Sequence, residues 1–257
     1  MTLVGMALVL LLGEAAGADT VPPPPAGSPP AVAPAKDPAA LALLDKMCSR
    51  LKAAKTFTLR ARTTVEWPVA GGALGTFFND ATVAVRRPDG LAARRTGDLP
   101  EFRFAYDGKS MAVLVPGDRR WSSVAAPPTI EAMLVTAGEQ GGISLPLDEL
   151  LVRDPCAVLT PGLTDAVRVG WAMVGKVKTE HVVLMNPVLQ VELWIDPATG
   201  LPARSAAAYL DHRLRPRFVA EITDWKIDPK LPPSAFELPK PTGASEVPFR
   251  EAAAAFR

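Results

Sequence analysis

Phe57-Thr58-Leu59-Arg60-Ala61-Arg62-Thr63-Thr64-Val65-Glu66-Trp67 alternates two kinds of side chain without a break. Phe57, Leu59, Ala61, Thr63, Val65 and Trp67 fall on one face; Thr58, Arg60, Arg62, Thr64 and Glu66 fall on the other. A period of two with all charge on one side describes a strand in an antiparallel sheet that is dry on one face and wet on the other. Upstream, Asp37-Pro38 supplies a helix N-cap followed by proline at the first helical position. Leu41, Leu44, Cys48 and Leu51 follow at helical spacing, so the sequence predicts an amphipathic helix over 38–54 that lies against something flat.

Downstream, further strands are expected near 74–87, 90–96, 101–107, 109–116 and 119–125, with Asp107-Gly108 and Pro116-Gly117-Asp118 as turns. The strand pattern then breaks. Thr129 caps a short helix through Ile130, Met133, Leu134 and Ala137, and Pro146-Leu147-Asp148-Glu149-Leu150-Leu151 reads as a second one. Strands resume near 166–174, 177–186, 188–196, 202–210 and 216–226, with a turn at Asp196-Pro197-Ala198-Thr199-Gly200. An antiparallel meander of about ten or eleven strands cannot stay flat and curls towards a barrel. The expected fold is therefore α+β: a curved, unclosed antiparallel sheet with the N-terminal helix and two short helices over its concave side. One domain spans 37–243, and 244–257 is a C-terminal tail whose end, 251–257, reads as helical.

The N-terminus is different in kind. Residues 3–12 are almost purely apolar, and Ala16-Gly17-Ala18 follows as a small-residue cleavage site, which makes 1–18 a secretory signal peptide cut before Asp19. No Lys or Arg precedes the apolar run, so an uncleaved inner-membrane anchor is the alternative. Residues 19–36 form a linker carrying Pro22-Pro23-Pro24-Pro25, Pro29-Pro30 and Pro34, which favours polyproline II. These features predict export to the periplasm.

The 257 residues carry 28 basic and 27 acidic side chains, a formal net charge of +1, which gives no footprint for nucleic acid. The arginines at 86–87, 94–95, 119–120, 213, 215 and 217 read as a solvated strand face or as contacts for anionic groups. His181 and His212 are the only histidines; neither has a second ligand at metal-site spacing, and no serine sits in a nucleophile elbow. The expectation is no metal, no cofactor, no catalytic residue and no enzyme. Cys48 and Cys156 either join in an oxidising compartment or remain two buried thiols.

Arg86-Arg87-Pro88-Asp89-Gly90-Leu91, then Tyr106-Asp107-Gly108-Lys109 and Pro116, resemble the LolA-like periplasmic carriers. Leu193-Trp194-Ile195-Asp196 and Thr199-Gly200-Leu201-Pro202 are similar to the second half of those carriers. Lys55-Thr56-Phe57, at the junction of first helix and first strand, is similar to a group of predicted periplasmic proteins sharing that fold. The resemblance implies an unclosed barrel with a helical lid over an apolar cavity, and a strand-end arginine, here Arg87, that helps to hold the lid. It departs after the Arg-Pro pair, where the carriers have aromatic residues and this chain has Leu91, Ala92, Ala93 and Arg94.

Taken together, the residues and the resemblance predict a monomeric periplasmic carrier for a hydrophobic ligand, such as the acyl chains of a lipid or lipoprotein. Leu59, Val65, Val83, Phe104, Val113, Met133 and Leu134 are the expected cavity lining. The alternative is a non-enzymatic regulatory or scaffold protein that binds another protein of the cell envelope.

Overall fold

A computed structural model describes residues 36–143, 145 and 147–254. The segment expected as a signal peptide and nearly all of the expected linker lie outside the described residues, as do Ser144, Pro146 and 255–257. The first helix, α1 (Pro38–Ala53), begins as expected: the Ala39 N–H donates to the Asp37 carboxylate at 2.8 Å, with Pro38 in the first turn. Ala40, Leu44, Met47, Cys48 and Leu51 form its buried stripe.

Six antiparallel strands follow, β1 (Thr56–Pro68), β2 (Leu74–Arg86), β3 (Gly90–Gly97), β4 (Phe102–Tyr106), β5 (Ser110–Val115) and β6 (Arg120–Ala125). Next come helices α2 (Ile130–Gly141), α3 (Asp148–Leu151) and α4 (Pro155–Leu159). The chain returns to strand in β7 (Asp165–Val174), β8 (Val177–Met185), β9 (Leu189–Ile195), β10 (Pro202–Tyr209) and β11 (Arg217–Ile222). Two two-residue strands, β12 (Lys226–Ile227) and β13 (Ser245–Glu246), precede the last helix, α5 (Phe249–Ala253).

All thirteen strands belong to one sheet, ordered β13-β6-β5-β4-β3-β2-β1-β11-β10-β9-β8-β7, with β12 paired to β1. The end strands β13 and β7 do not meet, so the sheet is an unclosed barrel; every pairing is antiparallel except β13 with β6. The long strand β1 joins the two halves, pairing with β2 on one side and β11 on the other.

Three elements go beyond the sequence reading. α4 follows α3 directly and carries Cys156. The segment expected as a tail from 244 instead adds β13 to the sheet and buries Phe249, Ala252 and Ala253. It is anchored because Gly141 leaves room for α5: a side chain there would start 2.8 Å from the Phe249 ring. Its apolar residues are too few to register as a periodic pattern.

Candidate functional site

Register decides where the concave side is filled and where it is hollow. In the half built from β1 to β5, Leu59, Val83, Ala93, Phe104 and Val113 lie opposite one another in a single cross-strand row. Leu59, Phe104 and Val113 are fully buried there, as is Met133 of α2; Val83 and Leu134 pack partly buried against the same core. Those six of the seven residues expected to line a cavity therefore lie in the core and outside the larger cavity. Val65 is the exception.

Val65 belongs to a second row, Leu184-Val191-Ala207-Phe218-Val65-Phe77, which crosses β8, β9, β10, β11, β1 and β2. These six residues floor a cavity of about 830 Å³. A methyl group, Ala207, stands in the row between Val191 and Phe218. Leu147, Asp148 and Glu149 of the α3 region and Val158 and Leu159 of α4 form the opposite wall. The volume and the mostly apolar lining fall within the range of small-molecule sites.

Two devices hold that wall. Arg87 lies at the end of β2, and its guanidinium reaches four carbonyl oxygens at two helix ends. It donates to Leu51 and, at 3.1 Å, Ala54 beyond α1, and to Leu150 and Val152 at 3.5 and 2.5 Å around the end of α3. A planar fork of donors suits this geometry, since one cation satisfies carbonyls that helix ends leave open. The group also stands 5.2 Å from the centroid of the Phe57 ring. Burial lowers its pKa to about 10, leaving it cationic at neutral pH. The second device is a disulfide between Cys48 and Cys156, which ties α1 to α4. Lys52 and Asp154 add an ion pair across the same junction at 2.6 Å, and the Arg153 N–H donates to Glu131 of α2 at 2.6 Å.

The cavity wall carries an acid pair that sequence reasoning passed over. Burial raises the carboxyl of Glu149, and the adjacent charge of Asp148 adds to the effect, taking it up to about 8; burial raises Asp148 as well. The Tyr209 hydroxyl is raised by burial and then by these two carboxylates, which places all three groups around one part of the cavity. The signal was available in the sequence as Asp148-Glu149 set between Leu147 and Leu150-Leu151.

The acid pair makes stability depend on pH. Unfolded, Glu149 titrates near 4.5; folded, near 8. Between these values the folded state holds more protons than the unfolded state, so stability falls as pH rises through that window. Glu149→Gln removes this contribution. It is expected to raise the melting temperature at pH 8 by roughly 2–4 °C, about 1 kcal/mol after allowance for solvent screening of a partly buried group. Melting curves at several pH values check this; an unchanged pH slope in the variant would contradict it.

On the outer face the charges answer one another. His181 stacks on Trp194 with ring centroids 4.2 Å apart and meets Glu192 at 3.0 Å, and Glu192 also receives Arg217 at 2.7 Å. Arg86 pairs with Asp89, Arg94 and Arg103 with Glu101, and Arg120 with Asp118. His212 lines the cavity and its Nδ1 accepts the Leu214 N–H at 3.1 Å.

A family model described as predicted periplasmic protein, DUF2092, matches residues 40–250. The chain belongs to this family. Its members are assigned to the periplasm, and this DUF2092 protein with them. No helix among the described residues is long and apolar enough to cross a membrane. Solved structures with a similar chain path include the Mycobacterium tuberculosis lipoprotein LppX, 17% identical over 74% of this chain and 96% of that one, with a TM-score of 0.46. LprF from Mycobacterium bovis is 13% identical over 82% of this chain and all of that one (100%), TM-score 0.46. MucB of Pseudomonas aeruginosa, solved in complex with MucA, is 14% identical over 78% of this chain and 61% of that one, TM-score 0.43. No curated protein matches the chain in sequence.

Proposed function

We propose that this periplasmic protein binds or carries a hydrophobic ligand, with an acyl or similar hydrocarbon chain lying along the cavity floor beneath α3 and α4. The observation that carries this reading is the 830 Å³ cavity over the row containing Ala207. Each methylene moved from water into such a site contributes roughly 0.8 kcal/mol, so a ten-carbon chain gains about 8 kcal/mol before the costs of ordering it. No charged anchor is required. Arg87 and the disulfide serve in this reading to hold the lid over the sheet.

The ligand is bound and not transformed. In support, His181 is engaged with Trp194 and Glu192 on the outer face, and the imidazole of His212 is committed to the backbone of its own loop.

Ala207→Trp tests the reading, because it places a large side chain on the cavity floor. Titration with the fluorescent probe dansyl-undecanoic acid is expected to show at least a tenfold weaker affinity for the variant, with a melting temperature close to that of the parent. Saturable binding of equal strength to both would move the ligand elsewhere, and no binding to either would leave an envelope-protein partner as the better account.

A further inference from the structure

The cavity opens at one end of the sheet, where the connections β1–β2, β8–β9 and β10–β11 lie side by side. Two hydrogen bonds join them. The Leu210 N–H donates to the Val188 carbonyl at 2.8 Å, and the Arg217 N–H donates to the Glu66 carboxylate at 2.8 Å.

Large apolar side chains are exposed at this end. Of the twelve that are exposed among the described residues, five are here: Trp67, Val69, Val158, Val188 and Tyr209. Trp67 is 50% exposed and Val188 51%. Trp67, Val158 and Tyr209 also line the cavity, so the exposed patch reaches into the mouth. Exposed apolar surface of this kind marks an interaction site. The loop at 210–216 adds Arg213 and Arg215, both exposed, against one acid, Asp211. Tryptophan and tyrosine prefer the boundary between hydrocarbon and water, and arginine next to them is attracted to anionic head groups.

We propose that this rim seats on the surface of an anionic lipid bilayer, so that the cavity mouth faces the reservoir of acyl chains. A chain passing from bilayer to cavity then stays in contact with apolar side chains throughout. The proposal rests on the hydrophobic-ligand reading above and adds the partner from which the ligand is drawn.

Flotation of the full chain with phosphatidylglycerol-containing vesicles tests it, with phosphatidylcholine vesicles as the neutral comparison. The parent is expected to float with the anionic vesicles and to be released by high salt. Val69→Glu combined with Val188→Glu, neither of which lines the cavity, is expected to weaken this at least tenfold, as is Arg213→Glu combined with Arg215→Glu. Both variants should bind dansyl-undecanoic acid in solution as the parent does. Absence of flotation by the parent, or equal flotation by all three proteins, would overturn the proposal. So would a dimer of the parent that the Val69/Val188 variant abolishes, since the rim would then be an interface between copies. Flotation that follows these expectations, with no uptake of the probe by any of them, would leave the bilayer contact standing and overturn the cavity reading instead.

Discussion

Arg87→Met is expected to lower the stability of the folded domain by about 3 kcal/mol, seen as a fall in melting temperature of roughly 6–12 °C. The side chain nearest in length removes the cation while keeping much of the packing. What is lost is the set of donors to Leu51, Ala54, Leu150 and Val152, which leaves carbonyls at two helix ends without their partner. Hydrogen bonds from a charged group contribute roughly 1.5–3 kcal/mol each in isolation, but four that share one guanidinium do not add. Arg87→Lys should recover little, because an ammonium cannot span both helix ends as the planar fork does. Thermal melts of the three proteins check this, and a melting temperature unchanged in Arg87→Met would show that the latch contributes nothing.

Removal of the disulfide, by Cys48→Ser with Cys156→Ser, is expected to cost about 3–4 kcal/mol. The two cysteines are 108 residues apart in sequence, and cross-linking a loop of that size restricts the unfolded chain strongly. The estimate stays below the full chain-entropy value because measured effects usually fall short of it. Urea unfolding should show a lower midpoint in the variant, and the parent with reducing agent should match it. The disulfide and Arg87 both fasten α1 to the α3–α4 region, so the two losses should not simply add; the interaction energy measures how far they act as one clamp. Equal midpoints with and without the bond would contradict this assignment.

Much of the architecture was legible because local signals agreed with one another. The alternation through Phe57 to Trp67, the Asp37-Pro38 start, the Thr129 cap and the Asp107-Gly108 turn each specify an element without reference to distant residues. Arg87 was reached through resemblance, and its contacts lie on helix ends that the sequence does not bring near it. Of the residues expected to line the cavity, Val65 alone lies on the floor of the 830 Å³ cavity, for a physical reason. Whether an inward residue lines a void depends on its cross-strand neighbours, and Val65 meets Phe218 across a pairing between β1 and β11 that no local pattern announces. Leu59, Phe104 and Val65 are equivalent in the alternation; only cross-strand pairing separates the row that floors the larger cavity from the row that does not. The small run Ala206-Ala207-Ala208 before Tyr209 was the available hint, and it gains meaning only once Ala207 is seen between Val191 and Phe218.

The most direct test is native mass spectrometry of the exported protein as purified, followed by solvent extraction of what it carries. The account predicts a mass excess that extraction identifies as an acyl-bearing molecule, present in the parent and absent from Ala207→Trp. A parent protein at its bare mass, still bare after incubation with acyl lipids, would contradict it.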